Sequence, residues 1–349
     1  MLSSQLYATT DILPVAGLDR LAEHLPNTWI EQALAATGTA SIRRRRLPAE
    51  QVVWLVIGLA IYRRQSMPEV LATLDLALSV ASEQADSKSA VTQARQRLGA
   101  KPLAQLFDQT ARAWCQQDAG ILAWKGLSLW AMDGTTFRTP DSADNRAHFG
   151  AQAYASGKVA SYPQVRAVSI TAIPTHLVSD IAFGTYAQNE MLYAKTLVGR
   201  IADHSLTVFD RGFLCAEILL GLTQGGQERH YLIPAKSNTK WEVLSGSADD
   251  CLVRMRVSPQ ARAKAPELPE HWTARAVRMV SANGKQRVLL TSLLDRRRFK
   301  AEALAECYRR RWEIETSYRE LKQSMLGEAL TLRSQQPEGI EQEIWGALI

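Results

Sequence analysis

Two apolar stretches that each end in an aspartate beside a glycine decide the fold: LSLWAMDGTTF at residues 127–137 and SLTVFDRGF at residues 205–213. Each has the length and the apolar content of a buried β-strand, and each is closed by a Gly-containing turn. An aspartate at such a strand end is held in place by the sheet, while its carboxylate reaches solvent. Asp133 and Asp210 are therefore candidate functional acids, although either one taken alone is also explained as a residue that caps a turn.

Further strand candidates follow these two stretches and alternate with segments of helical period. They are VRAVSIT (165–171), HLVSDIAF (176–183), HYLIPAK (230–236), CLVRMRV (251–257), WTARAVRMV (272–280) and QRVLLTSLL (286–294). Strands with interspersed helices indicate an α/β fold whose mixed sheet is covered on both faces. The last three runs stand close together, so the sequence predicts a β-rich insertion at about residues 237–296.

The N-terminal third has a different pattern. Its apolar residues recur at helical spacing, and few of them alternate with period two. The pattern predicts an all-helical domain over residues 1–118, followed by a catalytic α/β domain over residues 119–349.

Composition and charge exclude several classes of protein. The 349 residues include 41 Lys and Arg against 35 Asp and Glu, a net charge of +6 that permits a polyanionic partner. Four cysteines without a CxxC pair argue against a disulfide framework and against a zinc site, and they fit a reducing cytoplasm. The longest apolar run is too short to span a bilayer, so no membrane association is expected.

A polar row lies along the helix predicted near the C-terminus. Its members in YRRRWEIETSYRELK (308–322) are Tyr308, Arg311, Glu315 and Lys322. At 100° per residue they fall within about 60° of one another, beside the apolar face of the same helix. On a solvated helix, polar residues would be spread over the side that faces water. Because this row instead borders the apolar face, it is predicted to form one wall of a cleft.

The three acids Asp133, Asp210 and Glu315 suit a pair of divalent cations that clamp an in-line displacement at phosphorus. Ligands that are all oxygen select Mg²⁺ or Mn²⁺ over zinc. On the same helix face, Arg311 would bind phosphate through its planar fork and Lys322 as a point charge.

The spacing Y-x2-R-x3-E-x6-K resembles the signature of DDE transposases of the insertion-sequence-four family. Four other stretches resemble further motifs of this family: AMDGTTFRTPDS (131–142), NRAHFG (145–150), VFDRGF (208–213) and LIPAKSNTKWE (232–242). The resemblance covers nearly the whole chain and implies an RNase H-like fold. It maps Asp133, Asp210 and Glu315 onto the metal-binding triad of the family, and Tyr308, Arg311 and Lys322 onto the accompanying row.

The resemblance also implies cut-and-paste transposition, with the terminal repeats of an insertion element and a target DNA as partners and a second protomer on paired ends. The N-terminal helices resemble the DNA-binding region of the family. Within them, the basic run Arg43, Arg44, Arg45 and Arg46 is predicted to contact phosphates. The candidate recognition helix carries Gln93, Arg95, Gln96 and Arg97, since Gln and Arg pair with base edges. In both places a solvated surface is the alternative.

The insertion contributes three weaker candidates. Lys236 and Lys240 are predicted to contact phosphate, and Trp241 to stack on an unpaired base. Trp is found more often in a hydrophobic core, so a core role for Trp241 remains the alternative.

The chain stops at Ile349 within an apolar-periodic segment, whereas relatives in this family usually continue. We therefore expect a truncated copy whose last apolar stripe, Ile340, Ile344, Trp345 and Leu348, is exposed. Two alternatives to an active transposase stay open: a catalytically silent, end-binding repressor, and an RNase H-like nuclease without strand transfer. The sequence identifies neither the terminal repeats nor the target preference.

Overall fold

The computed structural model describes residues 21–40, 47–63, 65–74, 88–117, 122–153, 157–280, 284, 286–311 and 331–349. In these ranges the chain forms an N-terminal helical region followed by a mixed α/β region. Across the same ranges, every helix is too short or too polar to cross a membrane.

The helices lie at both ends of the chain and between the strands. In chain order they are α1 (Asn27–Ala36), α2 (Ala49–Ile61), α3 (Met67–Thr73), α4 (Lys88–Leu98), α5 (Lys101–Gln117), α6 (Ala143–Phe149), α7 (Glu190–Val198), α8 (Ala216–Gln224), α9 (Pro259–Lys264), α10 (Ala301–Arg309) and α11 (Pro337–Leu348). The first five confirm the prediction that the N-terminal region is helical.

One nine-stranded sheet forms the centre of the α/β region. Its strands are β1 (Ser128–Arg138), β2 (Gln164–Ala172), β3 (Val178–Thr185), β4 (Ser205–Phe209), β5 (Arg229–Pro234), β6 (Glu242–Gly246), β7 (Asp250–Arg256), β8 (His271–Val280) and β9 (Gln286–Thr291). All the strand candidates from the sequence are present. Strand β6 was not predicted, because its sequence EVLSG has two adjacent apolar residues and no alternation; all five residues are exposed.

The strand order confirms the predicted fold class. It runs β3-β2-β1-β4-β5-β9-β8-β7-β6. Strands β1, β2 and β3 pair antiparallel, whereas β4 and β5 run parallel to β1. The first five strands therefore form an RNase H-like sheet. Strands β6 to β9 are the β-rich insertion, and they extend the same sheet through antiparallel pairing of β9 with β5.

Neighbouring residues of β1 face opposite sides of the sheet, as the two-residue repeat of a strand requires. Trp130 and Met132 pack in a core with α7 and α8. Leu129 and Ala131 pack in a second core that includes Leu304 and Tyr308 of α10. Asp133 continues the second set, so its carboxylate lies on the α10 side of the sheet.

The C-terminal helix α11 packs into the N-terminal helical region, and the expectation of an exposed stripe is wrong. Ile340 is 0% exposed and Ile344 is 2% exposed, within a core shared with residues of α1, α2 and α5. A Cβ at Gly346 would stand 3.0 Å from the carbonyl oxygen of Val56, so the helices α11 and α2 approach closely. The stripe is thus buried against helices that precede it in the chain.

A buried polar junction also fixes α11. Arg63 and Glu343 form an ion pair at 3.5 Å, and their side chains are 6% and 4% exposed. The Gln342 amide donates to the carbonyl oxygens of Arg95 and Gly99 and accepts from Arg95 Nε. This one core spans both predicted domains, because it also contains Phe137 of β1.

Candidate active site where the pairing of β1 with β4 ends

Asp133 and Asp210 occupy neighbouring positions on adjacent parallel strands. The last paired residues of β1 and β4 are Met132 and Phe209, and each aspartate comes one residue later. Paired strands are about 4.8 Å apart. The register therefore brings together the two acids that lie 77 positions apart in the sequence.

Each aspartate accepts a local hydrogen bond from a backbone amide. The prediction that a turn closes the first strand at Asp133 is wrong, because β1 stays paired with β2 through Gly134 and ends at Arg138. Asp133 Oδ1 accepts from the Gly134 amide at 2.8 Å, and Asp210 Oδ2 accepts from the Gly212 amide at 3.1 Å. Asp210 also begins a short 3₁₀ helix, Arg211–Phe213. Asp210 can thus cap a turn and still present its carboxylate to the site, whereas Asp133 is held in place by the paired strand β1.

Burial raises the pKa of Asp133 to about 6. The Gly134 amide and the Arg311 guanidinium oppose this effect, whereas the negative charges of Asp210 and Glu190 add to it. A carboxyl group that is held in a partly buried site among other acids accepts a proton more readily than one in water. The nearby negative charges, which favour a bound proton, also favour a bound cation.

Helix α10 forms the wall opposite Asp133. Tyr308 is buried in the core below it, and burial raises the pKa of its phenol. Arg311 follows the helix, and its Nη1 lies 3.9 Å from Asp133 Oδ2. Two members of the predicted polar row therefore stand at this site. The other two, Glu315 and Lys322, lie outside the described residues.

An open cleft of about 670 Å³ begins at Asp210 and runs beneath the insertion. Its cationic and aromatic lining residues are Arg211, Lys236, Trp241, Arg278, Arg287, Tyr308 and Arg311. Lys236 and Trp241 thus share this cleft with Asp210, while Lys240, the residue before Trp241, is exposed. The cleft has the dimensions and charge to hold a strand of a polyanion.

Sequence reasoning missed Arg278 and Arg287. Arg287 gave no signal, because it follows the exposed Gln286 at the start of its strand. Arg278 stands between buried apolar neighbours, so alternation could have shown that it faces outward. Alternation could not have shown which cleft they face, because that depends on the pairing of β8 with β9.

Glu190, at the first turn of α7, was also missed. Its carboxylate lies against Gly134: a Cβ at that glycine would stand 2.8 Å from Glu190 Cδ. Only a residue without a side chain allows this approach, so the glycine after Asp133 brings a third described acid close to the site.

The candidates in the N-terminal region have different surroundings. On α4, Gln93, Gln96 and Arg97 are exposed, whereas Arg95 is partly buried and donates to Gln342 and Gly339 of α11. In this structure Arg95 therefore joins two parts of the fold. The run Arg43 to Arg46 lies outside the described residues.

The two described acids fit a hard divalent cation, because their donor atoms are carboxylate oxygens without sulfur or imidazole nearby in the described lining. Within the described ranges no three His, Cys, Asp or Glu residues are grouped to hold a metal, and the predicted third ligand, Glu315, falls outside those ranges. The pair can thus contribute two ligands of a larger set.

Comparison with known proteins gives two family matches that together cover most of the chain. Residues 15–108 match the family described as insertion element 4 transposase N-terminal, and residues 124–349 match the transposase DDE domain. The transposase InsG for insertion sequence element IS4 of Escherichia coli (strain K12) is 39% identical over 333 residues, covering 95% of this chain and 74% of InsG. The putative transposase InsZ of the same organism is 36% identical over 239 residues, covering 67% of this chain and 77% of InsZ.

One solved structure, a cryo-EM structure of the piggyBac transposase synaptic complex with hairpin DNA, matches with a TM-score of 0.42 and 10% sequence identity. The match covers 92% of this chain and 70% of that one.

Proposed function

This chain belongs to the IS4 family of DDE transposases, and from that premise we propose that it cuts the ends of an insertion element by metal-dependent hydrolysis and joins them to target DNA. The observation that supports the proposal most is the placement of Asp133 and Asp210 side by side where the pairing of β1 with β4 ends, with Arg311 beside Asp133. The cut-and-paste reaction and the metal requirement are the parts of the proposal that experiments must test.

In this proposal Asp133, Asp210 and Glu315 hold two Mg²⁺ or Mn²⁺ ions. When bound, such ions make a water or a 3′-hydroxyl a better nucleophile and stabilise the departing oxygen. The carboxylates must be ionised to act as ligands, so the raised pKa of Asp133 makes the site more dependent on pH than an ordinary aspartate would be.

The cations of the site position the DNA. Arg311, 3.9 Å from Asp133, would bind the scissile phosphate through its fork, with Lys322 and the Tyr308 hydroxyl beside it. Lys236, Arg278 and Arg287 line the cleft that continues from Asp210, and they would hold the phosphates of the strand that enters it. Trp241 lies in the same lining and would stack on a base.

The N-terminal helices would bind the terminal repeat. On α4, the exposed Gln93, Gln96 and Arg97 would face the base edges, and Arg43 to Arg46 would contact phosphates. Arg95 is not proposed to contact DNA, because its side chain holds α4 against α11 through Gln342. A second protomer on paired ends, the assembly that the family implies, can be sought by light scattering of the chain with end DNA.

The test is a cleavage and joining assay. The substrates are a duplex that carries one element end with flanking DNA, and a supercoiled plasmid as target. With Mg²⁺ we expect cleavage at the end and joined products. Cleavage without joining would instead support the nuclease reading, and end binding without cleavage would support the repressor reading.

A further inference from the structure

The β-rich insertion contains a fully buried arginine. Arg275 of β8 is 1% exposed and is among the largest fully buried side chains of the described residues. A guanidinium keeps its charge in a protein, so a buried one must be paired and hydrogen-bonded. Its partners therefore show which parts of the fold the buried charge joins.

All three nitrogens of the Arg275 guanidinium donate hydrogen bonds. Nε and Nη2 donate to the two carboxylate oxygens of Asp250, at 2.8 and 2.7 Å. Nη1 donates to the carbonyl oxygens of Phe299 at 2.6 Å and of Leu293 at 3.4 Å. The bonds from Arg275 hold the pKa of Asp250 below its ordinary range, so the carboxylate is ionised at neutral pH. We call these four residues the Arg275 clamp.

The clamp joins the insertion to the start of α10. Asp250 is the first residue of β7, and Phe299 lies two residues before the first residue of α10. Between β9 and α10, Arg296 forms a second ion pair with Asp250, at 3.3 Å. The segment that leads into α10 is therefore bonded to β7 and β8 at Leu293, Arg296 and Phe299.

The start of α10 lacks a capping side chain. Its N-cap residue, Lys300, makes no side-chain cap bond, while Phe299 packs in the core with Leu304 and Tyr308. Apolar contacts have no preferred direction and tolerate small shifts, whereas a hydrogen bond fixes a distance and an angle. The bond from Arg275 to the Phe299 carbonyl thus adds a directed contact where the helix begins.

An arginine at this position suits positioning better than stabilisation. A buried ion pair often adds no stability over well-packed apolar residues of similar volume. The planar fork of Arg275 instead holds its acceptor atoms in one arrangement. It therefore specifies the geometry with which the insertion meets α10.

Helix α10 carries this geometry to the active site. Arg311 lies ten residues after Ala301, the first residue of the helix, which corresponds to about 15 Å along the helix axis. A rigid helix moves as a unit, so a shift at its start reaches its other end. There, Arg311 Nη1 lies 3.9 Å from Asp133 Oδ2.

We propose that Arg275 is a positioning residue of the active site: it fixes the start of α10 through the Phe299 carbonyl, and α10 in turn holds Arg311 beside Asp133. This inference rests on the proposed transposase function, in which Arg311 binds the scissile phosphate. It gives the insertion a role outside the cleft, because β7 and β8 then set the wall of the site from behind.

The test compares Arg275→Met with wild type in two measurements on an end-containing duplex. One is the rate of Mg²⁺-dependent cleavage at saturating DNA, and the other is the affinity for the duplex. Methionine fills a similar volume without the fork, and circular dichroism selects a temperature at which both proteins are folded. We expect the rate to fall by about 10- to 10²-fold, since a misplacement of about 1 Å has this effect. The affinity should not change, because Arg275 is buried.

Arg229→Met is the matched control. The Arg229 side chain is 11% exposed, and it donates to Asp203 at 2.7 Å and to the Gly199 carbonyl at 3.3 Å. It thus makes a similar ion pair and carbonyl contact, but to the connection between α7 and β4. Its loss should lower stability and leave the cleavage rate of the folded protein unchanged. Arg275→Lys keeps the charge without the fork, so its rate should lie between those of wild type and Arg275→Met, and it replaces Arg275→Met if that variant does not fold.

A double variant tests whether Arg275 acts through Arg311. In Arg311→Ala the group that α10 positions is already gone, so adding Arg275→Met should lower the rate by less than it does in wild type. Hydrogen exchange gives a readout that does not depend on cleavage. Arg275→Met should speed exchange of the Leu304 amide, which donates to the Lys300 carbonyl in the first turn of α10, and Arg229→Met should not.

A wild-type cleavage rate in folded Arg275→Met, or an equal loss of rate in Arg229→Met, would overturn the inference. Full additivity with Arg311→Ala, or unchanged exchange of the Leu304 amide, would also overturn it. If the wild-type chain itself did not cleave the duplex, the proposed function would fail, and that result is distinct from each of these.

Discussion

The carboxylate of Glu190 rests against the bare Cα of Gly134, on the opposite face of β1 from Asp133. A Cβ on Gly134 would stand 2.9 and 3.0 Å from the two carboxylate oxygens of Glu190. After burial and Asp210, the charge of Glu190 is a further cause of the raised pKa of Asp133. The glycine beside the first acid thus admits a second carboxylate that increases its proton affinity.

Gly134→Ala should lower the pKa of Asp133 from about 6 toward the ordinary range near 4, because the new methyl displaces the flexible end of Glu190. Glu190→Gln should also lower the pKa of Asp133, because it removes the negative charge without introducing a clash. Carbon-13 NMR titration of the aspartate carboxyl groups measures both. If neither variant shifts the titration of Asp133, Glu190 does not act on it.

Asp133→Asn should stabilise the metal-free protein at pH 7. The folded pKa of about 6 lies above the unfolded value, so the ionised form is disfavoured in the fold. The gain is at most about 3 kcal/mol above pH 6, and it shrinks to nothing as the pH falls below about 4, where both states become protonated. Urea unfolding in the presence of a chelator measures it.

Asp295 provides the opposite control. Backbone amides of Arg298 and Arg297 lower the pKa of its carboxyl, so Asp295→Asn should weaken the fold slightly at pH 7. Equal changes in the free energy of unfolding for both variants would contradict the account of Asp133.

Glu343→Ala should destabilise the protein by about 3 to 5 kcal/mol, because it leaves the buried guanidinium of Arg63 without its carboxylate. Replacing both partners, Arg63→Met with Glu343→Leu, should recover much of the loss. Arg112→Ala, at a side chain that is 73% exposed, should cost less than about 1 kcal/mol. Chemical denaturation gives the free energy of unfolding of the three variants. A loss of less than about 1 kcal/mol for Glu343→Ala would argue against the observed packing of α11.

Arg311→Ala should reduce end cleavage on the order of 10²-fold, since the variant loses the fork that would hold the scissile phosphate. It also removes a cation that lowers the pKa of Asp133, so Mn²⁺ binding should weaken near pH 6 but match wild type at pH 8. Arg311→Lys keeps the positive charge, so its rate of end cleavage should fall between those of wild type and Arg311→Ala. Wild-type cleavage by the alanine variant would remove Arg311 from the site.

The pattern of apolar residues was sufficient to predict β4 with its terminal Asp210, because a buried strand and its closing turn are local properties. The first strand was predicted to end at Asp133, but it continues to Arg138, because pairing with β2 extends it through Gly134. The position of α11 was not predictable in this way. Its apolar stripe shows that it packs against something, but the partner helices lie more than 200 residues earlier in the chain. Glu190 was missed for a similar reason, since its approach to Gly134 depends on how α7 lies across the sheet.

The most direct test of the central claim compares Asp133→Asn, Asp210→Asn and Glu315→Gln in Mn²⁺ binding and in Mg²⁺-dependent cleavage of an end-containing duplex. Each change keeps the shape of the side chain but removes one ligand charge. We predict that all three variants bind the end as wild type does, bind Mn²⁺ at least tenfold more weakly and lose cleavage. Cleavage at the wild-type rate by any one of them would contradict the assignment of the triad.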